Sequence, residues 1–435
     1  MTQVHRTVLN PPTPFPLPIR ITTFPRMAPV RIAFPRPRVD DVHTAVRQQL
    51  EALRLPDLQG KRVALTAGSR GIRDIVPVLA AAVAWLRERG AEPVLIAAMG
   101  SHGGATSAGQ RALLAHLGIV PEAVGASIVT DTETVDLGRT PDSLHVYCDR
   151  NAASCDAMLI VNRVKPHTAF AEPFGSGLLK MLAVGLGKAP GAAQIHRQGA
   201  DRMAAAIEAI ARVVLSSGKV LGGLAIVENA YDETAKIEAV LPGQISQRER
   251  ALFAEARALM PRLPVDDLDA LIVEEMGKEY SGTGMDVNVI GRWRLPGMPE
   301  PSSPRIRRIV ALRLSGASEG NAQGVGLADV VTLRLVAAID PVATYVNNIV
   351  STFLERAFIP IAMPTDRDAV AAALASLGLP DPARARVGRI RNTLHLEELW
   401  FSESVLPGLA GREDVAVGLP EELRFTTDGT LADLR

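Results

Sequence analysis

Apolar and polar positions alternate along residues 61–162 in blocks that predict strands and helices in turn. The runs KRVALT (61–66), EPVLIAAMG (92–100) and CDAMLIVN (155–162) are short and apolar, as expected of buried strands. Between them, DIVPVLAAAVAWLRERG (74–90) and GQRALLAHLG (109–118) carry apolar residues at helical spacing and end on glycine. This alternation is typical of a parallel sheet with helices on its faces, and we predict an α/β fold.

A second set of strands and helices follows the proline-closed end of a polar helix near residue 264. We predict strands at 269–277, 308–315 and 358–364, and helical segments at 327–339, 341–354 and 365–378, the last capped by Thr365. The pattern predicts two domains. The N-terminal domain comprises residues 1–264 with the tail from about 403 to 435, and a smaller α/β domain spans residues 265–402. Nine prolines in the first forty residues predict an extended arm packed on the first domain.

Composition narrows the classes of function. Lys+Arg and Asp+Glu each count 47, and the zero net charge argues against a nucleic-acid-binding protein. The chain has no long uncharged apolar run and no apolar core of a signal peptide, so we expect no membrane association. Cys148 and Cys155 form no disulfide framework; we expect two partly buried thiols and a cytoplasmic location.

Unusual polar residues follow three of the predicted strands. They are Ser69 and Arg70 in TAGSRGIRD, His102 in GSHGGATS, and Lys165 and His167 in NRVKPHTAF. Because ligands bind beyond the carboxyl ends of parallel strands, we expect these side chains to gather at one edge of one sheet.

The chemistry of these loops leaves alternatives open. GSRG (68–71) could bind an anion through backbone amides, Ser69 and Arg70, although a strand-to-helix turn also needs glycine and serine. His102 and His167 could flank one substrate carbon, one accepting a proton as the other donates one, as a racemase or epimerase requires. Alternatively, His102 is a turn histidine bonded to the backbone.

A glycine-rich segment carries Lys180 and, sixteen residues later, His196. Apolar neighbours disfavour the charged form of a lysine, which makes the nucleophilic amine of Lys180 more available. A neutral His196 could bind a metal ion. The alternatives are a lysine that extends to solvent from a helix and a histidine on a helix surface.

Four stretches together resemble the nickel-pincer lactate racemase family: GSHGG (100–104), KPHTAF (165–170), GSGLLKML…PGAAQIH (175–196) and MGKEYSGTGM (276–285). The resemblance implies that Lys180 holds a pyridinium-3,5-bisthiocarboxylic acid mononucleotide nickel complex through a thioamide. It also implies that His196 completes the nickel coordination, while His102 and His167 act as acid and base during a transient hydride transfer.

The same resemblance implies two α/β domains with the cofactor in a cleft between them. Ser69 and Arg70 would contact the phosphate or ribose of the nucleotide. Lys278 would reach the cleft from the second domain and bind the substrate carboxylate, with Lys165 and Arg292 as alternative cations. The implied function is a racemase or epimerase of a 2-hydroxy acid or sugar acid, with cofactor-biosynthesis proteins as partners.

The sequence departs from this family at Gly103, where an arginine is expected, and at Glu275, where a glutamine is expected. Both positions concern the substrate pocket, so lactate is not implied as the substrate. Two other functions stay open. The protein could carry or store the nickel nucleotide without turnover, or it could be a hydrolase with His102, His167 and His196 as zinc ligands. The sequence does not indicate the oligomeric state.

Overall fold

The computed structural model describes residue 16 and residues 21–168 and 173–433. The chain divides into two compact units. The first unit is Pro35–Met260, and the second unit joins Met1–Phe34 with Pro261–Arg435. Each unit is an α/β structure, which confirms the predicted fold class. No helix within the described ranges is long and apolar enough to cross a membrane.

The elements are numbered along the whole chain. The strands are β1 (Arg26–Ile32), β2 (Arg62–Ala67), β3 (Glu92–Ala97), β4 (Ser127–Val129), β5 (Thr134–Arg139), β6 (His145–Asp149), β7 (Ala157–Arg163), β8 (Val220–Glu228), β9 (Thr234–Val240), β10 (Asp267–Met276), β11 (Arg305–Leu314), β12 (Val330–Thr332), β13 (Ile361–Met363), β14 (Val387–Ile390), β15 (Glu398–Ser402), β16 (Val415–Val417) and β17 (Glu421–Glu422). The α-helices are α1 (Val42–Ala52), α2 (Ile75–Glu88), α3 (Ser107–His116), α4 (Pro121–Val124), α5 (Arg150–Ser154), α6 (Leu178–Lys180), α7 (Lys188–His196), α8 (Met203–Ser216), α9 (Ile245–Leu259), α10 (Val287–Ile290), α11 (Leu333–Ala337), α12 (Pro341–Ser351) and α13 (Asp366–Ala375). A π-helical segment, Met181–Gly185, continues α6.

The first unit is built on a six-stranded sheet with the order β4-β3-β2-β7-β8-β9. All neighbouring pairs are parallel except β8 and β9, so the predicted parallel sheet is confirmed. Its central strands are apolar on both faces because helices cover them, and Leu65, Leu95 and Leu159 are fully buried. The chain runs from β2 outward to β3, whereas β7 lies on the other side of β2. The strand order therefore reverses between β2 and β7. In open α/β sheets, ligands bind beyond the carboxyl ends of the strands at such a point.

The second unit contains a nine-stranded sheet with the order β13-β12-β11-β10-β14-β15-β1-β16, and β17 also pairs with β1. Strands β10 to β14 pair in parallel, whereas β15, β1 and β16 add antiparallel strands. The predicted capping of α13 is present, because Asp368 N donates to Thr365 Oγ1 at 3.1 Å.

The assignment of the arm and the tail to the first domain was wrong. Strand β1 from the arm lies between β15 and β16, which places both segments in the second unit. Met27 and Val30 are fully buried there, and this burial anchors β1 in the second unit. Ile32 N donates to Glu397 O, just before β15, so the N–H groups of even-numbered residues face β15. The nitrogen of Pro29 faces the other side, where the ladder to β16 covers residues 30–32 and that to β17 covers residues 26–27, so the missing N–H falls between them. Residues 1–15 and 17–20 of the predicted arm lie outside the described residues.

The predicted helix at 327–339 was wrong in its first half. Val330, Val331 and Thr332 form β12 between β11 and β13. All three are β-branched and buried, which suits a central parallel strand. Thr332 then caps the short helix α11 by accepting a hydrogen bond from Leu335 N.

The two cysteines are free, as predicted, but both are completely buried rather than partly buried. Burial raises the pKa of the Cys148 thiol to about 12, which keeps it protonated and unreactive near neutral pH.

Candidate functional site

The loops after β2 and β3 meet at the carboxyl edge of the first-unit sheet. Ser69 Oγ and His102 Nδ1 are hydrogen-bonded to each other. His102 is exposed and lies outside the core of the unit. Ser69 follows the neighbouring strand β2, and its hydroxyl orients the His102 ring. The contact is possible because the loops after β2 and β3 lie at the same edge of the sheet.

The loop after β7 places His167 against Lys180. Lys165 and Ser176 form an antiparallel bridge with backbone hydrogen bonds of 2.9 and 2.8 Å, which folds the start of the glycine-rich segment back on the strand end. The Lys180 Nζ atom lies 2.5 Å from His167 Nε2. A side chain at position 175 would come within 2.2 Å of Lys165 O, so Gly175 permits this fold.

The surroundings of Lys180 favour the neutral form of its amine. Burial lowers its pKa to about 7, and the positive charges of Arg70 and Lys165 act in the same direction. No carboxylate in the described part of the chain forms an ion pair with it. The unprotonated amine, which is the form that attacks an electrophile, is therefore far more available near neutral pH than in an ordinary lysine.

His196 is the last residue of α7, and its imidazole is also kept neutral. Burial lowers its pKa to about 4, and the charge of Lys180 contributes. Its Nδ1 atom is buried and has no hydrogen-bond partner within the described ranges. A buried ring nitrogen without a partner is unusual in proteins, and it suits an atom that binds a ligand or a metal ion.

These groups fit the nickel nucleotide that the resemblance implies. A neutral amine at Lys180 can form an amide-type link, and the neutral imidazole of His196 can bind nickel. Arg70 is exposed, and its guanidinium has no hydrogen bond or ion pair among the residues that the structure describes. It can therefore bind a phosphate beside Ser69.

Glu249 on α9 was not identified from the sequence. Its side chain is fully buried, and its Oε2 accepts a hydrogen bond of 2.9 Å from Leu179 N, one residue before Lys180. Burial raises the pKa of this carboxyl to about 8. A side chain at Gly177 would come within 2.5 Å of the carboxylate. The sequence did contain a signal for this residue. Glu249 lies four residues after Ile245, on the face of α9 that is otherwise apolar.

Lys188 was also missed, and it connects α7 to the His102 loop. Its ammonium is fully buried, lies 3.0 Å from Asp149 Oδ2, and donates to Ala97 O at 2.6 Å and Gln110 Oε1 at 3.2 Å. The Gln110 amide in turn donates to Gly100 O at 3.2 Å, next to the histidine loop. Lys188 thus couples the helix that ends at His196 to the end of β3.

The two candidate cations of the second unit have different surroundings. Lys278 Nζ donates to Gly282 O, Gln323 Oε1 and Asn347 Oδ1 at 2.8, 2.7 and 2.9 Å. Arg292 is bound within its own unit by Asp329 Oδ2 at 2.7 Å and by backbone carbonyls. The candidacy of Arg292 as the substrate cation stays a prediction. The role of Lys278 stays a prediction.

The histidines do not form the zinc triad considered from the sequence. Within residues 21–168 and 173–433, no group of three His, Cys, Asp or Glu side chains is arranged to hold a metal ion. His102 and His167 instead contact Ser69 and Lys180. The expectation that the two histidines face each other across a substrate stays a prediction.

No family model matches the sequence, and the search of curated proteins returns no match. Among solved structures, the chain is similar to the lactate racemase apoprotein from Thermoanaerobacterium thermosaccharolyticum. The sequence identity is 10% and the TM-score is 0.49, over 84% of this chain and 94% of that chain.

Proposed function

We propose that this protein is a racemase or epimerase of a 2-hydroxy acid or sugar acid that uses a lysine-linked nickel-pincer nucleotide. One observation carries the proposal: the half-buried Lys180 has a pKa of about 7, its amine lies 2.5 Å from His167 Nε2, and its charge lowers the pKa of His196. Anchoring, metal binding and proton transfer then fall to neighbouring side chains of one sheet edge.

Anchoring of the nucleotide involves three groups. Lys180 would form the thioamide through Nζ, His196 would bind the nickel, and Arg70 with Ser69 would bind the phosphate. His167 lies within hydrogen-bonding distance of the amine and can accept its proton when the amine reacts. When bound, the nucleotide supplies a reversible acceptor for the hydrogen of the substrate carbon and its electron pair.

Proton transfer to and from the substrate hydroxyl is assigned to the two histidines. Ser69 orients His102 through Nδ1, and we assign proton exchange with the substrate to Nε2. His167, on the loop after β7, would serve the opposite face of the planar intermediate. The substrate hydroxyl would lose its proton to one histidine, and the oxygen would regain a proton from the other. The carbon would be inverted when its hydrogen returns with the electron pair to the opposite face of the planar keto group.

The first test is the mass of the intact protein produced together with the cofactor-building enzymes. We expect a covalent adduct that maps to Lys180 and is absent from Lys180→Ala. Lys236→Ala is the matched control, because Lys236 is a surface lysine paired with Glu255, and it should keep the adduct. An unmodified wild-type protein, or an adduct that persists in Lys180→Ala, would refute the proposal.

The second test separates an enzyme from a carrier. The loaded protein is incubated with single enantiomers of 2-hydroxy acids and sugar acids, and loss of optical rotation is followed. Racemisation that depends on His102 supports the enzyme, whereas a loaded protein that is inert towards the whole panel supports the carrier.

A further inference from the structure

Helix α12 of the second unit exposes an apolar face. Val342, Tyr345, Val346, Ile349 and Val350 recur at the spacing of one side of a helix, and they are 45% to 72% exposed. The opposite side buries the polar residues Thr344 and Asn348. This is the reverse of the pattern expected for a helix on the surface of a monomer.

The apolar surface continues beyond the helix. Leu354, Phe358, Ile359 and Ile361 are 48% to 65% exposed, and with the five helix residues they form what we call the α12 patch. At about half exposure and ~150–200 Å² per side chain, the nine residues expose roughly 800 Å². Monomers rarely expose more than a few hundred Å² of contiguous apolar surface. Each partner in a protein–protein interface of standard size contributes about 800 Å².

The patch contains almost no charge. Residues 341–354 include no Asp, Glu, Lys or Arg. Of the two charged residues that follow, Arg356 is buried and donates to Trp293 O at 2.8 Å. The charged groups of a charged partner would therefore lose their hydration water on the patch without gaining counter-charges, and this disfavours such a partner. Two copies of the patch can pack together without burying unpaired charges. Because the net charge of the chain is zero, the two copies also do not repel each other at long range.

The sheet edge beside the patch carries no further strand among the described residues. Among the described strands, β13 pairs only with β12, and its residue Ile361 belongs to the patch. An uncovered edge next to exposed apolar side chains favours association with another chain. A second copy seated on the patch would cover this edge as well.

We propose that the α12 patch is the interface of a two-fold homodimer, in which α12 of one copy packs against α12 of the other. Soluble oligomers are most often two-fold dimers, in which the same patch is used by both subunits. The proposal depends only on the second unit and is independent of the proposed function.

The test is the mass of the full-length protein in solution, measured by light scattering over a range of concentrations. The wild type should have twice the chain mass of 46.3 kDa. Val346→Glu combined with Ile349→Glu should weaken the dimer at least 100-fold, because each copy then buries like charges. Leu419→Glu is the control, since Leu419 is 85% exposed and lies outside the patch. A wild type that stays monomeric, or a double variant that stays dimeric, overturns the proposal.

A cross-link tests the geometry without a destabilising charge. Cys148 and Cys155 are buried, so an introduced Val346→Cys supplies the reactive thiol at the centre of the patch. Oxidation should yield a covalent dimer for Val346→Cys and none for Leu419→Cys. Failure of Val346→Cys to cross-link refutes the helix-to-helix dimer. A wild-type monomer that binds phosphatidylcholine vesicles through the patch also refutes it, and would assign the patch to a lipid surface.

Discussion

Lys180 and Lys188 lie eight residues apart in one glycine-rich segment, yet their surroundings are opposite. Lys188 is completely buried beside Asp149 and donates to two further oxygen atoms. Lys180 is half-buried, lies beside His167, and experiences the positive charges of Arg70 and Lys165. The first environment supplies a counter-charge and hydrogen-bond acceptors, whereas the second lowers the pKa of the amine.

The two lysines show that the groups around an amine shielded from water determine whether it acts as a structural cation or as a nucleophile. Burial penalises the ammonium form at both positions, but at Lys188 a carboxylate and hydrogen-bond acceptors compensate for the penalty. At Lys180 the neighbouring charges are positive, so the pKa falls to about 7. We therefore assign a structural role to Lys188 and a chemical role to Lys180.

The largest expected effect concerns nickel. Lys180→Ala should remove all bound nickel from protein produced with the cofactor-building enzymes, because the covalent anchor is lost. His102→Ala should retain nickel and lose turnover by about 10²–10⁴-fold, the usual contribution of a general acid or base. Metal analysis and optical rotation measure the two effects. Equal nickel in the wild type and Lys180→Ala would contradict the assignment.

The next effect concerns stability. Lys188→Met should lower the free energy of unfolding by about 3–5 kcal/mol, because Asp149 is left buried without its counter-charge. Lys180→Met should leave stability unchanged or slightly higher, since it removes a poorly compensated amine. Urea unfolding of the full chain provides the measurement. Adding Asp149→Asn to Lys188→Met should recover part of the loss, and equal losses at the two lysines would end the distinction between them.

A third lysine extends the comparison to the second unit. Lys278 donates to three neutral oxygen atoms. If it binds the substrate carboxylate, Lys278→Met should raise KM and lower kcat, each by roughly tenfold, because binding and positioning fail together. The kinetics of the loaded enzyme test this expectation. Unchanged constants would remove Lys278 from the site and leave Lys165 and Arg292 as the candidates.

The smallest effect concerns the pH dependence of the Lys180 amine. A lysine acylating reagent should label Lys180 of the unloaded protein above a midpoint near pH 7, and labelling should fall as the pH drops and the amine is protonated. Arg70→Gln removes a nearby positive charge, which raises the pKa of Lys180 and should slow labelling at pH 7 a few-fold. Arg212→Gln, on the exposed side of α8, is the control. A midpoint that does not move would exclude Arg70 as a cause.

Much of the first unit could be predicted because its signals are local. The apolar runs that became β2, β3 and β7 are buried on both faces, and the helices between them end at glycine. Parallel pairing then requires the following loops to share an edge, so the meeting of Ser69 with His102 follows from topology. The prediction that failed, the placement of the arm and tail in the first domain, concerned contacts between distant parts of the chain. Strand β1 pairs with residues about 370 positions away.

The sequence by itself determined the α/β class, the edge at which the polar loops gather, and the residue types available there. Only the tertiary structure decided which amine is neutral, because the pKa of Lys180 depends on burial and on cations from two other loops. Likewise, Glu249 and Lys188 became partners of the site only once α9 and β6 packed against the glycine-rich segment. Local sequence sets backbone preference and hydrophobic pattern, whereas electrostatics depends on distances between residues far apart in the chain.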